Sequence, residues 1–220
     1  MIYAMTDLHG RFDLMNKALE EIEKRNPDTV IFLGDYIDRG PQSRQIIERL
    51  MDGPPRGWKW ICLAGNHDRW FADIIRHHEH YSEWLIDCGG VTTMRSYGWE
   101  KGRAIDRNLV PKEHLDWIYG LPMYHETEHH VFVHAALDIT KPMDQQTENM
   151  LTWGYWRGRD LAYNGKYIVH GHDSNPNGPI VYKNRINLDV RSFMTNRLCV
   201  GIFDGPGQPK EIIHIKGGKI

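Results

Sequence analysis

The stretch Thr29-Val30-Ile31-Phe32-Leu33-Gly34-Asp35-Tyr36-Ile37-Asp38-Arg39-Gly40 passes in one step from a β-branched and aromatic run into a loop of carboxylates and glycines. The run Thr29–Leu33 predicts a strand. Working outward, residues 13–25 predict a helix with Leu14, Ala18, Leu19 and Ile22 on one face, stopped by Asn26-Pro27-Asp28. Ile2–Met5 before it is a short strand. On the other side, residues 42–51 predict a helix broken by Gly53-Pro54-Pro55, and Trp60–Leu63 a third strand. Strand, helix, strand, helix, strand implies a parallel sheet joined by crossovers. Each strand runs into a similar cluster: Asp7-Leu8-His9-Gly10, then Gly34 to Gly40, then Gly65-Asn66-His67-Asp68. Ligands of an open parallel sheet gather beyond the carboxyl ends of its strands, so the three loops should meet. Asp7 and His9, two apart, would share one side of an extended backbone.

The rest of the chain is less regular. Residues 69–87 carry Trp70, Phe71, Ile74, Ile75, Trp84, Leu85 and Ile86 among polar residues and read as helical; residues 111–119 predict a short helix opened by Pro111. Strands follow at His130–His134, Tyr167–His170, Ile186–Asp189, Leu198–Phe203 and Glu211–Ile215, with Asp204-Gly205-Pro206-Gly207 as a hairpin loop between the last two. The simplest organisation is one α/β domain over 1–220 with a β-rich second half.

Composition narrows the function. Lys plus Arg number 27 and Asp plus Glu 29, a formal charge of −2, and the pI is about 6.7. A basic nucleic-acid binder is disfavoured. Mean hydropathy is −0.57, and no apolar run approaches a membrane span. Three scattered cysteines, Cys62, Cys88 and Cys199, and the lack of a signal peptide fit a reducing cytoplasm. The 13 histidines stand out: about 6% of the chain, against roughly 2% in ordinary proteins.

Some of that excess falls where the carboxylates are. Val131-Phe132-Val133-His134-Ala135 sets a histidine at the end of a strand, and Ile168-Val169-His170-Gly171-His172-Asp173 sets another just past one. With the three loops they offer carboxylate, imidazole and amide ligands for two divalent ions. Asp7-x-His9-Gly10, Gly34-Asp35-x-x-Asp38-Arg39-Gly40 and Gly65-Asn66-His67-Asp68, followed by His134 and Gly171-His172, resemble the metallophosphoesterase signature. The Asp38-Arg39-Gly40 ending is similar to that of the phosphoprotein phosphatase branch. Gly89-Gly90-x-x-Thr93-x-x-Ser96-Tyr97-Gly98, Pro142-Met143-x-x-Gln146 and Asn187-Leu188-Asp189 resemble its small bacterial and phage members.

The resemblance implies a calcineurin-like metallophosphoesterase fold: a central β-sandwich flanked by helices, with metals at the carboxyl ends of the strands. It implies one metal on Asp7, His9 and Asp35, and a second on Asp35, Asn66, His134 and His172. Water between the ions would be the nucleophile. His67 would protonate the leaving group and Asp38 would orient it. Arg39 would grip phosphoryl oxygens, with Arg157 or its neighbour Arg159 as a second arginine. Mn²⁺ is the favoured metal; Fe, Zn, Ni and Co are compatible. The substrate implied is a phosphorylated protein or small phosphoester, with no nucleic acid and no membrane as partner; oligomeric state is left open. Diadenosine tetraphosphate hydrolysis and 2′,3′-cyclic phosphodiester hydrolysis are rivals on the same site, and a non-catalytic metal-binding regulator is a rival of another class.

Three positions depart from the pattern. Thr6 replaces a glycine, Asp68 a glutamate that would hold the neighbouring loop, and Asp173 a threonine. Other candidates carry plainer readings. His77, His78 and His80 read as a solvated helix face, His129-His130 as a strand start, His170 as structural, and Trp153 and Trp156 as possible cleft walls.

Overall fold

The computed structural model describes residues 1–77, 81–100 and 102–218. Its strands are β1 (Ile2–Met5), β2 (Thr29–Phe32), β3 (Lys59–Cys62), β4 (Tyr124–Glu126), β5 (His130–Val133), β6 (Tyr167–His170), β7 (Ile180–Val181), β8 (Arg185–Asn187), β9 (Arg197–Phe203) and β10 (Glu211–Lys216). Its helices are α1 (Phe12–Glu23), α2 (Ser43–Met51), α3 (Asn66–His77), α4 (Tyr81–Asp87), α5 (Gly90–Ser96), α6 (Lys112–Gly120), α7 (Glu148–Trp153) and α8 (Ser192–Thr195). The strands form two five-stranded sheets, ordered β10-β9-β1-β2-β3 and β4-β5-β6-β8-β7. As the N-terminal rhythm predicts, β1, β2 and β3 run parallel, with Ala4 beside Ile31 and Ile31 beside Ile61. In the second sheet β5, β6 and β8 are likewise parallel.

Alternation along each strand explains the layering. Ala4, Ile31 and Leu33 from the first sheet meet Phe132, Val169, Ile186 and Leu188 from the second in one apolar layer. Their neighbours Tyr3, Met5, Val30 and Phe32 point the other way, into a layer with Leu14, Ala18, Ile22, Ile46, Ile47, Phe71 and Trp84 from the helices. Val131, Val133 and Ile168 project from the far face of the second sheet onto Leu151 and Trp156. Both faces of the central strands are therefore buried, which is why β1, β2, β5 and β6 read as near-continuous apolar runs. No helix among the described residues is long and apolar enough to cross a membrane.

Several boundaries differ from the expectations. The third loop is not a loop: α3 begins at Asn66, so Asn66, His67 and Asp68 sit on its first turn. The stretch expected as helix over 69–87 holds α3 to His77 and α4 from Tyr81. His78 and His80 lie outside the described residues. β4, β7, α5, α7 and α8 are too short for periodicity to announce.

Candidate active site

Tight backbone brings the strand-end loops together. The loops approach so closely that a β-carbon on Gly65 would lie 2.2 Å from Asp35 Oδ1. A β-carbon on Gly171 would lie 2.1 Å from Asp7 Oδ2. Any side chain at either position would displace a carboxylate of the site. Asp7 (φ 52°), His9 (φ 42°), Asp35 (φ 55°), Asp38 (φ 69°), Arg39 (φ 69°) and His172 (φ 64°) all occupy the left-handed region. Such strain in non-glycine residues persists only where surrounding structure holds it, and it clusters at functional sites. Asp7 and His9 converge because both turn left-handed, not because the backbone between them is extended.

Hydrogen bonds to main-chain oxygens orient the imidazoles. His9 Nδ1 lies 2.8 Å from Ile37 O, and His134 Nδ1 2.9 Å from Leu33 O. A carbonyl can only accept, so each Nδ1 carries the proton and each Nε2 presents a lone pair. His9 Nε2 then faces Asp35 Oδ2 at 3.6 Å and Asp7 Oδ1 at 3.9 Å. His134 Nε2 faces Asn66 Oδ1 at 2.9 Å and Asp35 Oδ2 at 3.5 Å. His172 Nδ1 lies 3.1 Å from the same Asn66 oxygen, and its buried Nε2 has no hydrogen-bond partner among the described residues. Lone pairs aimed at acceptor oxygens across short distances are a poor arrangement by themselves and a suitable one around cations. Asp35, His134 and His172 offer donor atoms within 4.8 Å of one another, as do His9, Asp35 and His67. The donor set is oxygen and nitrogen without thiolate, suited to hard or borderline divalent ions.

Charge follows the same layout. Burial alone would raise the Asp35 carboxyl, but His134, His67, His9 and His172 around it pull it below the ordinary carboxylate range. Burial raises Asp7 and depresses His9, and it brings His172 down to about 3. His67 goes the other way. Burial opposes its charge, but Asp35 and Asp38 outweigh burial and raise it.

The pair His67–Asp38 is the best-braced part of the site. His67 Nδ1 donates to Asp38 Oδ2 at 2.6 Å. The same oxygen accepts from Trp84 Nε1 at 2.9 Å, and Asp38 Oδ1 accepts from Thr93 Oγ1 at 2.7 Å. Asp38 is fully buried. Arg39, the next residue, reaches His9 Nε2 at 3.0 Å and His67 Nε2 at 3.1 Å, with its guanidinium 4.6 Å over the Phe193 ring. Asp68 performs the loop-holding task expected of it. Its carboxylate accepts from the Asp35, Tyr36 and Gly65 amides at 2.8, 2.9 and 3.0 Å.

These groups open into a cleft of about 690 Å³. Its lining includes Arg39, His67, Trp70, Asp87, Trp153, Tyr155, His172, Arg191 and Phe193. Six large apolar side chains stand exposed among the described residues, and four of them, Ile86, Trp153, Tyr155 and Met194, line this cleft. The two tryptophan candidates part company. Trp153 walls the cleft, whereas Trp156 is buried in the core, its indole N–H bonded to Ala135 O. Arg157 lies on an exposed turn after α7, and Arg159 is exposed with its Nε on Trp156 O at 3.1 Å; neither lines the cleft. His170 is buried between Gly171 O and the Arg185 guanidinium, away from the donor set. Trp84, Thr93, Phe193 and Arg191 were not foreseen in the site. Only Thr93 carried a sequence signal, inside the Gly89-Gly90-x-x-Thr93 stretch.

A family model described as calcineurin-like phosphoesterase matches residues 1–190. The chain is similar to serine/threonine-protein phosphatase 1 of Salmonella typhimurium, 27% identical over 136 residues covering 61% of this chain and 58% of that one. It is similar to a symmetrical bis(5′-nucleosyl)-tetraphosphatase of a Janthinobacterium species, 27% identical over 138 residues covering 61% and 43%. In both cases the match spans about half of the relative's length. Against serine/threonine-protein phosphatase 2 of Escherichia coli it is 26% identical over 207 residues, 90% of each chain. Among solved structures, a putative diadenosine tetraphosphatase superposes with a TM-score of 0.71 over 99% of this chain and 93% of the other, at 18% identity. A metallophosphoesterase from Sphaerobacter thermophilus gives 0.62 over 99% and 89%, at 16% identity. These two share the fold.

Proposed function

The chain belongs to the calcineurin-like phosphoesterase family, and from that premise we propose that it is a two-metal phosphatase of phosphomonoesters, with phosphoserine and phosphothreonine of proteins as its substrates. The observation that carries the reading is the buried Asp38–His67 pair, 2.6 Å apart, beside donor atoms gathered around Asp35. Asp7, His9 and Asp35 would hold one cation, and Asp35, Asn66, His134 and His172 the other. Divalent ions such as Mn²⁺ supply, when bound, an acidified water and positive charge for phosphate oxygens. The chain's own side chains do the rest. Once Arg39 has moved from His67 Nε2 to the phosphate, His67, its charged form favoured by Asp35 and Asp38, holds a proton at Nε2 for the leaving oxygen. Asp38 fixes the ring through Nδ1 and is itself fixed by Trp84 and Thr93. Arg39 exchanges its two imidazole contacts for phosphoryl oxygens, which match its planar fork better.

The protein-substrate reading draws support from overall length: the alignment with serine/threonine-protein phosphatase 2 spans 90% of each chain. A second reading, cleavage of a dinucleoside tetraphosphate, is favoured by the aromatic rim of Trp70, Trp153 and Tyr155, which could stack a base. A panel with Mn²⁺ separates them: p-nitrophenyl phosphate, a phosphoserine peptide, diadenosine tetraphosphate and a 2′,3′-cyclic nucleotide, compared by kcat/KM. The phosphopeptide is expected to lead diadenosine tetraphosphate at least tenfold. The reverse order overturns the substrate class, and no turnover of any of them overturns the enzyme reading.

A further inference from the structure

The family resemblance implies a second phosphate arginine at Arg157 or Arg159, and neither lines the cleft. Arg191 does. It lies on the connection from β8 of the second sheet to β9 of the first, whereas Arg39 follows β2, and both line the cleft.

Three observations bear on Arg191. Its backbone is left-handed, at φ 56° and ψ 57°, a conformation that favours glycine and that Arg157 shares at φ 49°, so cleft position is what separates the two. A long β-carbon-bearing side chain is kept there against that preference, and outliers of this kind gather where a side chain is needed. The turn is held by the Arg191 amide donating to Asp189 Oδ1 at 2.7 Å, a bond that any residue except proline could make. Finally, the guanidinium is aimed without being neutralised. Nε and Nη2 donate to Ser174 Oγ at 3.1 and 3.0 Å, and Arg191 has no carboxylate in ion-pair range among the described residues. Ser174 thus occupies one edge of the fork and fixes its direction, while the end-on edge keeps donors for an oxyanion.

Resting on the phosphatase reading above, we propose that Arg191 is the second arginine that grips the phosphoryl group being transferred, in the place expected of Arg157. Arg39 and Arg191 then both hold non-bridging oxygens, and Ser174 acts as a positioning residue for Arg191.

Arg191→Gly is the informative variant, because glycine removes the guanidinium and suits the backbone. Its Tm should equal or exceed that of the wild type. Its kcat/KM on p-nitrophenyl phosphate should fall 10- to 1,000-fold, and added guanidinium chloride at millimolar levels should restore part of the loss in the variant alone. Inorganic phosphate should bind the Mn²⁺-loaded variant at least tenfold more weakly by calorimetry, a readout independent of turnover. Activity and phosphate binding within twofold of wild type overturn the proposal. So does a loss confined to diadenosine tetraphosphate, which would put Arg191 on a distant phosphate, or a loss with lowered Tm and no rescue, which would make it structural. A wild type that binds phosphate through Arg191 without hydrolysing any ester overturns the phosphatase reading and leaves Arg191 standing. A wild type that does neither overturns both.

Discussion

His67 sits where two roles meet. Its Nδ1 is committed to Asp38 at 2.6 Å, yet the ring also offers a nitrogen within 4.8 Å of donor atoms on His9 and Asp35. A ligand and a proton donor respond differently to removal. If His67 is the acid, its value grows with the basicity of the leaving group, because a stable phenolate needs little protonation and a serine alkoxide needs much. His67→Asn should therefore lower kcat about 10²–10⁴-fold on a phosphoserine peptide, and clearly less on p-nitrophenyl phosphate, with bound metal unchanged. Equal losses on both substrates together with a lost ion would make His67 a ligand instead. Asp38 is not interchangeable with a surface partner of histidine. It is fully buried and braced by Trp84 and Thr93, so the imidazolium it faces is stabilised with little screening.

At the scale of elements, legibility tracked periodicity and loop chemistry. β1 and β2 were readable because both strand faces are buried, β3, only half-buried, because its apolar run follows a broken helix, and the helices because each carries one apolar stripe. The donor residues were readable because Asp, His and Gly recur after successive strands. Arg191 was not. Nothing in Val190-Arg191-Ser192 announces a left-handed backbone, and only the fold brings that turn beside His172 and Ser174. Trp84 was hidden differently: an indole in an apolar helix reads as core, and its N–H on Asp38 depends on how α4 packs. The histidine excess also resolves by element. His130, on β5, is nearly fully buried, bonds Gly207 O through Nε2 at 2.9 Å, and is edge-on to Phe203. Burial lowers its pKa. The folded state therefore resists protonation, while the unfolded chain takes up a proton below about pH 6.5. Stability from this histidine is present above that pH and declines as pH falls below it. The advantage of wild type over His130→Asn in denaturant unfolding should shrink between pH 7.5 and 5.5. The change should be a fraction of the roughly 1.4 kcal/mol per pH unit that a wholly desolvated histidine would give. An advantage that is constant or grows toward pH 5.5 would contradict the assignment.

At the scale of the whole molecule, the site exists only where the two sheets come together. Asp7, His9 and Asp35 arrive from the first sheet, His134 and His172 from the second, and His134 is tied across the interface by Nδ1 on Leu33 O. Residues 101 positions apart in sequence thus fix one donor set. Net charge of −2 does not oppose an anionic substrate, because attraction is local to bound cations and arginines. The same arrangement ties stability to metal: cations that bind the fold and not the unfolded chain add stability by mass action. The central claim is that this donor set holds two ions and that both serve hydrolysis. Its most direct test is calorimetric titration of chelator-treated protein with Mn²⁺, with p-nitrophenyl phosphate turnover followed at each addition. The account predicts two ions per chain, with full turnover reached only as the second binds. Full turnover with one ion per chain, or turnover that survives in excess chelator, would contradict it.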